Sequence, residues 1–134
     1  VITWVPLARR RLADRGYDQA RLLAEEAGRQ LERPVAALLR RRVSTAPQAQ
    51  RSGEERRTAL RGAFEAGRHA VPPRVLLIDD VLTTGATAAA CAEALLAAGA
   101  REVHLLAAAR SFAGSAYTRA GPRPGLWLPG DTLR

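Results

Sequence analysis

Lysine is absent: all 21 basic residues of this 134-residue chain are arginine. That excludes a Walker A phosphate loop, which needs its lysine, and a Schiff-base enzyme, which needs an amine. No Gly-x-Gly occurs, so the dinucleotide-binding fingerprint is missing as well. A single cysteine, Cys91, excludes an intrachain disulfide and any zinc site built on two or four cysteines, and it makes a reducing, cytoplasmic setting the default. With only two histidines, His69 and His104, a His/Cys metal centre or a Cys–His dyad has too few parts. Aromatic residues are 4% of the chain, few for stacking on bases. No stretch approaches the ~20 apolar residues of a membrane span. Val1–Leu7 is short and lacks the basic leader of a signal peptide.

What is present suits one compact domain, long enough to bury roughly two-thirds of its unfolded surface. Apolar residues make up 47%, but 28 of them are alanine and 18 leucine, so the core must combine close-packed, Ala-rich helices with a few Leu/Val strands. The charge is lopsided. Residues 1–70 hold 15 arginines against 8 acidic residues, and residues 71–134 hold 6 against 5. A basic first half points to an anionic ligand, a phosphate ester or nucleic acid, or else to a solubilising arginine surface.

Val1–Val5 is β-branched and aromatic and predicts a strand that Pro6 ends. Ala8–Asp18, with Arg9, Arg10, Arg11 and Arg15, reads as a basic loop. Asp18 is a suitable N-cap for a helix to about Glu32, with Ala20, Leu22, Leu23, Ala27 and Leu31 at helical spacing. Val35–Val43 fits a strand or a short helix. Ser44–Arg51 is a polar loop, Ser52 and Glu55 form a capping box for a short helix ending near Gly62, and Phe64 opens a short strand. Arg74–Ile78 is a continuous apolar strand of the kind buried in a parallel sheet, with Asp79 and Asp80 at its end and a turn over Val81–Gly85. Ala86–Ala98 is an Ala-rich helix closed by Gly99, and Glu102–Ala109 is the next strand. This βαβ unit places its loop at the sheet edge where open α/β sheets bind ligands. Residues 111–134, with seven glycines or prolines, read as an irregular tail in which Trp127 suggests a fold-back.

The chemistry concentrates in residues 76–87. A strand delivers two carboxylates, then a hydroxyl-rich turn enters a helix whose first N–H groups have no intrahelical partner and carry partial positive charge. Thr83, Thr84 and Thr87 add hydroxyls, while Gly85 and Ala86 let the backbone approach closely. Such a turn cradles a monophosphate without lysine. Asp79 and Asp80 would repel a second phosphate but suit sugar hydroxyls or a divalent ion. The ligand read from the residues is a sugar phosphate. The bland alternative is that Thr84 and Thr87 only cap the helix and the acids are solvated, but capping alone does not call for two acids behind a buried strand. Elsewhere His104, mid-strand, reads as structural, His69 as surface loop, Cys91 as core packing, and Arg40–Arg42 as a solvated face with nucleic-acid contact as the minority reading.

Residues 75–87 resemble the phosphoribosyl pyrophosphate (PRPP) motif of type I phosphoribosyltransferases. The wider chain, over residues 1–110, resembles the ComF family of competence-associated proteins through Val5-Pro6-Leu7, Arg15–Gln19, Thr45–Gln50, Arg56-Arg57 and Leu60–Phe64. The resemblance implies a three-layer α/β fold with a mostly parallel sheet flanked by helices, as a phosphoribosyltransferase-like domain over residues 1–110. It implies that Asp79 and Asp80 hold the ribose diol, with Mg²⁺ arriving on PRPP, and that Thr83, Thr84, Gly85, Ala86 and Thr87 hold the 5-phosphate. Pyrophosphate would lie at the loop of Pro6, Leu7 and Arg9, and Thr45–Arg57 would take the place of a mobile cover. The implied reaction is displacement of pyrophosphate from C1 of ribose by an acceptor such as a nucleobase. The alternative is a non-catalytic competence factor that binds single-stranded DNA during DNA uptake, with PRPP as ligand. Homodimers are frequent in the resembled fold. The chain departs from the family at Tyr17 and Asp18, where Phe and Asn are usual, at Ala59, where Asn is frequent, and in showing no four-cysteine zinc ribbon.

Overall fold

The structure is a computed structural model that describes residues 1–42, 60 and 62–111, with the side chains of Arg9 and Arg10 left out. The apolar run predicted as a parallel strand is the centre of the sheet. Strand β1 (Ile2–Trp4) and the long strand β4 (Arg74–Leu82) run parallel, with Ile2 opposite Leu76 and Trp4 opposite Ile78. Strand β5 (Glu102–Arg110) lies parallel on the other side of β4, from Arg74 opposite Glu102 to Leu82 opposite Arg110. The order is β1-β4-β5. Two short strands, β2 (Leu39–Arg41) and β3 (Phe64–Ala66), pair antiparallel as a separate ribbon.

Alternation along a strand sends successive side chains to opposite faces. Leu76 and Ile78 pack with Ile2, Trp4 and Ala24 beneath helix α2 (Gln19–Leu31). Val75 and Leu77 face the other way and pack with Leu38, Leu39, Phe64, Cys91 and Leu95, beneath helix α3 (Ala86–Ala97) and the β2-β3 ribbon. The result is three layers, with helix on both faces of the sheet. Small residues permit the close approach: Ala20, Ala24 and Gly28 form the buried stripe of α2, while Ala88, Cys91 and Leu95 recur at helical spacing on the buried side of α3. A Cβ on Gly28 would collide with the Val35 side chain and sit 3.0 Å from the Arg33 carbonyl. The outer surface of α2 carries ion pairs, Arg21 with Glu25 and Arg29 with Glu26.

Two expectations change. The basic segment after β1 is not a loop. Arg9–Arg15 forms helix α1, which ends at Gly16 in the left-handed region (φ 79°), its N–H on the Leu12 carbonyl at 2.8 Å. The segment lacks β-branched residues, glycine and proline, and arginine, leucine and alanine are strong helix formers. Strand β4 also continues past Ile78 to Leu82, so Asp79, Asp80, Val81 and Leu82 are strand residues and the turn starts at Thr83. The open choice over Val35–Val43 resolves as an isolated bridge from Val35 to Ile2 followed by β2. The polar loop, the Ser52–Glu55 capping box, the cover loop over Thr45–Arg57 and Trp127 in the tail lie outside the described residues. Among the described residues no helix is long and apolar enough to cross a membrane.

Candidate functional site

The site follows from a mismatch in strand length. β1 stops at Trp4, whereas β4 runs four residues beyond its last partner there, Ile78. A cleft of about 370 Å³ opens over this step, at the carboxyl ends of β1 and β4. Its floor is Asp79–Thr83 with Gly85, Thr87 and Ala88 from the turn and the start of α3. The loop Val5–Leu7 and the start of α2, at Asp18, Gln19 and Ala20, form one side. Arg11 and Arg15 of α1 and Arg41 of β2 complete the walls.

Asp79 is 8% exposed and Asp80 is half-buried. Burial, reinforced by hydrogen bonding with the neighbouring Asp80 carboxyl, pushes the Asp79 carboxyl up to about 6. The Asp80 N–H donates to Asp79 Oδ1 at 2.9 Å and opposes that shift in part. The Val81 N–H donates to Asp80 Oδ1 at 2.8 Å. Among the described residues neither aspartate forms an ion pair, although three arginines line the same cleft. Buried charges are ordinarily paired.

Gly85, in the left-handed region at φ 77°, turns the chain into α3, which has no side-chain hydrogen-bond cap at this end. The Ala86 N–H donates to Thr84 Oγ1 at a long 3.4 Å. The first turn of this 12-residue helix therefore offers amide donors beside the Thr83 and Thr87 side chains. An anion is favoured at such a helix end.

The cleft brings together seven of the ten residues singled out from the sequence: Asp79, Asp80, Thr83, Gly85, Thr87, Pro6 and Leu7. Thr84 and Ala86 belong to the same turn but do not line the cleft, and Arg9 has no described side chain. His104 is exposed and 3.7 Å from Glu102 near the opposite end of the sheet, and His69 is exposed. Cys91 is fully buried in the core, its thiol pushed up to about 12, first by burial and then by the charge of Asp79.

Comparison with known proteins bears on the family and the fold. The chain is 36% identical over 111 residues to Competence protein F of Haemophilus influenzae, covering 80% of this chain and 48% of that protein. It is 35% identical over 99 residues to Competence protein ComFC of Streptococcus pneumoniae, covering 74% and 43%. With the DNA utilization protein YhgH of Escherichia coli K12 it shares 37% over 118 residues, covering 83% and 49%. The chain belongs to the ComF family. It spans about half the length of these curated relatives. No family model matches the chain. Among solved structures, the allosteric regulatory enzyme of purine biosynthesis superposes with a TM-score of 0.54 at 25% identity, over 79% of this chain and 21% of that one. The fold of this ComF-family chain is that of the type I phosphoribosyltransferases.

Five polar or charged cleft residues of this ComF-family chain were not legible as such: Arg11, Arg15, Asp18, Gln19 and Arg41. Asp18 was expected only to cap α2. Its Oδ1 does accept the Arg21 N–H at 3.3 Å, but its Oδ2 also accepts the Leu7 N–H at 3.3 Å, so it ties the loop after β1 to the start of α2. The arginine triplet divides by strand alternation. Arg40 and Arg42 both pair with Glu65, at 2.9 and 3.8 Å, whereas Arg41 turns to the cleft with its guanidinium 5.3 Å from the Phe64 ring centre.

Proposed function

We propose that the cleft binds PRPP, with the 5-phosphate on the first turn of α3 and the ribose 2′ and 3′ hydroxyls on Asp79 and Asp80. The observation that carries this reading is that an uncapped helix N-terminus and an unpaired carboxyl pair open into one cavity. A phosphate accepts hydrogen bonds from the α3 amides and the Thr83 and Thr87 hydroxyls. A sugar diol donates to carboxylates that are not engaged in ion pairs among the described residues. The fold shared with phosphoribosyltransferases and the size of the cavity support the same ligand.

The residues also fit a divalent ion carried by the ligand. Two adjacent carboxyls without an ion-pair partner suit a hard cation. Among the described residues, however, no group of three or more His, Cys, Asp or Glu side chains could hold one alone. Asp79 and Asp80 would hold such an ion only together with oxygens of the ligand itself. Mg²⁺ bound with PRPP supplies neutralisation of the charge on a departing pyrophosphate. Where turnover occurs, the acceptor forms its bond to C1 as the bond from C1 to the pyrophosphate oxygen breaks. Asp79 and Asp80 hold the sugar and place negative potential beside an anomeric carbon that becomes cationic. No aromatic side chain lines the cavity, so the described residues provide no stacking platform for a nucleobase acceptor.

Titration of Mg²⁺-PRPP into the protein tests the reading. Saturable binding is expected, weakened about tenfold or more by Asp80→Asn, since a hydrogen bond to a charged group contributes about 1.5–3 kcal/mol. No binding, or an unchanged curve for Asp80→Asn, counts against it. Pyrophosphate release measured with each nucleobase separates a transferase from a PRPP-binding protein.

The relatives named for competence and DNA utilization favour a role in DNA handling, with single-stranded DNA as a second ligand. Tyr17 is exposed beside the arginine-bearing α1 and offers one stacking surface. Single-strand affinity that falls steeply with salt supports this role, and a flat salt response refutes it.

A further inference from the structure

The two edges of the parallel sheet are finished differently. Beside β1 the flanking chain makes one bridge, Val35 with Ile2, and then leaves for the β2-β3 ribbon, so that edge is short. β5 forms the other edge, and among the described residues no strand pairs with its outer side. It is nine residues long, and between Glu102 and Arg110 it holds only apolar residues and His104. Lysine, proline and bulges ordinarily blunt such an edge. This strand has no proline, and the chain has no lysine.

The backbone of β5 also has groups to offer. The Ser111 N–H donates toward β4, to the Leu82 carbonyl at 2.9 Å. Strand alternation then turns the N–H and C=O groups of His104, Leu106 and Ala108 to the open side. The side chains tell the same story. His104 and Leu106 stand in register with Leu76 and Ile78, on the face that α2 covers over β1 and β4. Over β5 that cover ends, and Leu106 is 52% exposed in the middle of its strand. Parallel sheets ordinarily leave no such residue bare.

The order of residues in β5 selects what would cover it. An acid opens the strand, an arginine closes it, and Leu106 lies midway, with Glu102 and Arg110 both exposed. Run antiparallel against an identical strand with a two-fold axis at Leu106, Glu102 of each copy stands opposite Arg110 of the other. His104 then faces Ala108, and the two Leu106 residues face each other as a hydrogen-bonded pair. Any other antiparallel register loses both charge pairs, and a parallel one sets like charges together. We propose that β5 is an interface with a second copy of this chain, an isologous antiparallel pairing about Leu106 that joins two three-stranded sheets into one.

Sedimentation velocity of the full chain over a concentration series tests this. One strand edge is a small interface, so a concentration-dependent dimer is expected. Leu106→Lys, which sets like charges face to face, should weaken it about tenfold or more. Arg110→Glu and Glu102→Arg should each weaken it about tenfold, because each leaves like charges opposed at both ends. An equimolar mixture of those two variants should recover the dimer, since one copy then presents two acids and the other two arginines in register. That recovery also shows that both variants are folded. A chain that stays monomeric at every concentration overturns the proposal. So does a dimer indifferent to all three changes, or a mixture no tighter than its components. A monomer in which Leu106→Lys red-shifts the emission of Trp127, read in a Trp4→Phe background, assigns the edge to residues 111–134 of the same chain and overturns the second copy as its occupant.

Discussion

The two ends of the central sheet are built differently. At the amino ends of β4 and β5, the charges on the strands themselves meet partners. Arg74 lies 3.4 Å from Glu102, His104 lies 3.7 Å from the same carboxylate, and the amino group of Val1 donates to the Arg74 carbonyl at 3.2 Å. At the carboxyl ends, Asp79, Asp80, Arg11, Arg15 and Arg41 share a cavity without an ion pair among them. Burying unpaired charge costs stability. A sheet that pairs its strand charges at one end and leaves Asp79 and Asp80 without ion pairs at the other suits the second end to the ligand proposed above, the same end where open α/β sheets place their sites.

Changes at the two ends should therefore separate binding from stability. The largest effect is expected from Asp79→Asn combined with Asp80→Asn, which should weaken Mg²⁺-PRPP about tenfold to a hundredfold, read by calorimetry, while the melting temperature holds or rises. Retained affinity would remove the contrast between the ends. Gly28→Ala strikes the scaffold instead. A Cβ colliding with Val35 should cost about 1–3 kcal/mol in urea unfolding, and the surviving folded protein should bind as before.

A pH series is subtler. The Asp79 carboxyl moves from 3.8 when unfolded to about 6 when folded, because burial penalises its charge. The folded state therefore holds the proton more tightly. That stabilisation is complete below pH 3.8 and is lost as pH rises through about 6. Unliganded wild type should lose stability over this window, and Asp79→Asn should flatten the profile. A wild-type profile that rises there instead would place the carboxyl in a neutralised setting. The smallest effect belongs to the amino end, where Glu102→Gln breaks only exposed pairs, should cost less than about 1 kcal/mol, and should leave PRPP affinity intact.

What could be read from the sequence follows the same division. The strand through Ile78, the carboxylates and the Thr-rich turn were legible because an unbroken apolar run, two acids and a glycine change character abruptly within a dozen residues. Asp18 as a cap and Cys91 as core were legible from local spacing. Helix α1 was not, because four arginines suggest a solvated loop while their helix propensity is silent until a neighbouring surface gives the segment a place. Arg41 was hidden for a different reason. Three consecutive arginines carry no signal of which one faces inward, and only the pairing of β2 with β3, which sets Arg41 opposite Phe64 and Arg40 opposite Glu65, settles the alternation. The second bond of Asp18, to Leu7 eleven residues earlier, is tertiary and has no local trace.

The central claim is that one helix end and two neighbouring carboxyls together receive a phosphorylated pentose. Amide chemical-shift mapping during titration with ribose 5-phosphate tests it most directly. The largest shifts are expected at residues 83–87, the turn into α3, with smaller ones at Asp80 and Val81, whose N–H groups bond the carboxylates. Shifts confined to α1 and Tyr17, with the turn into α3 unmoved, would contradict it.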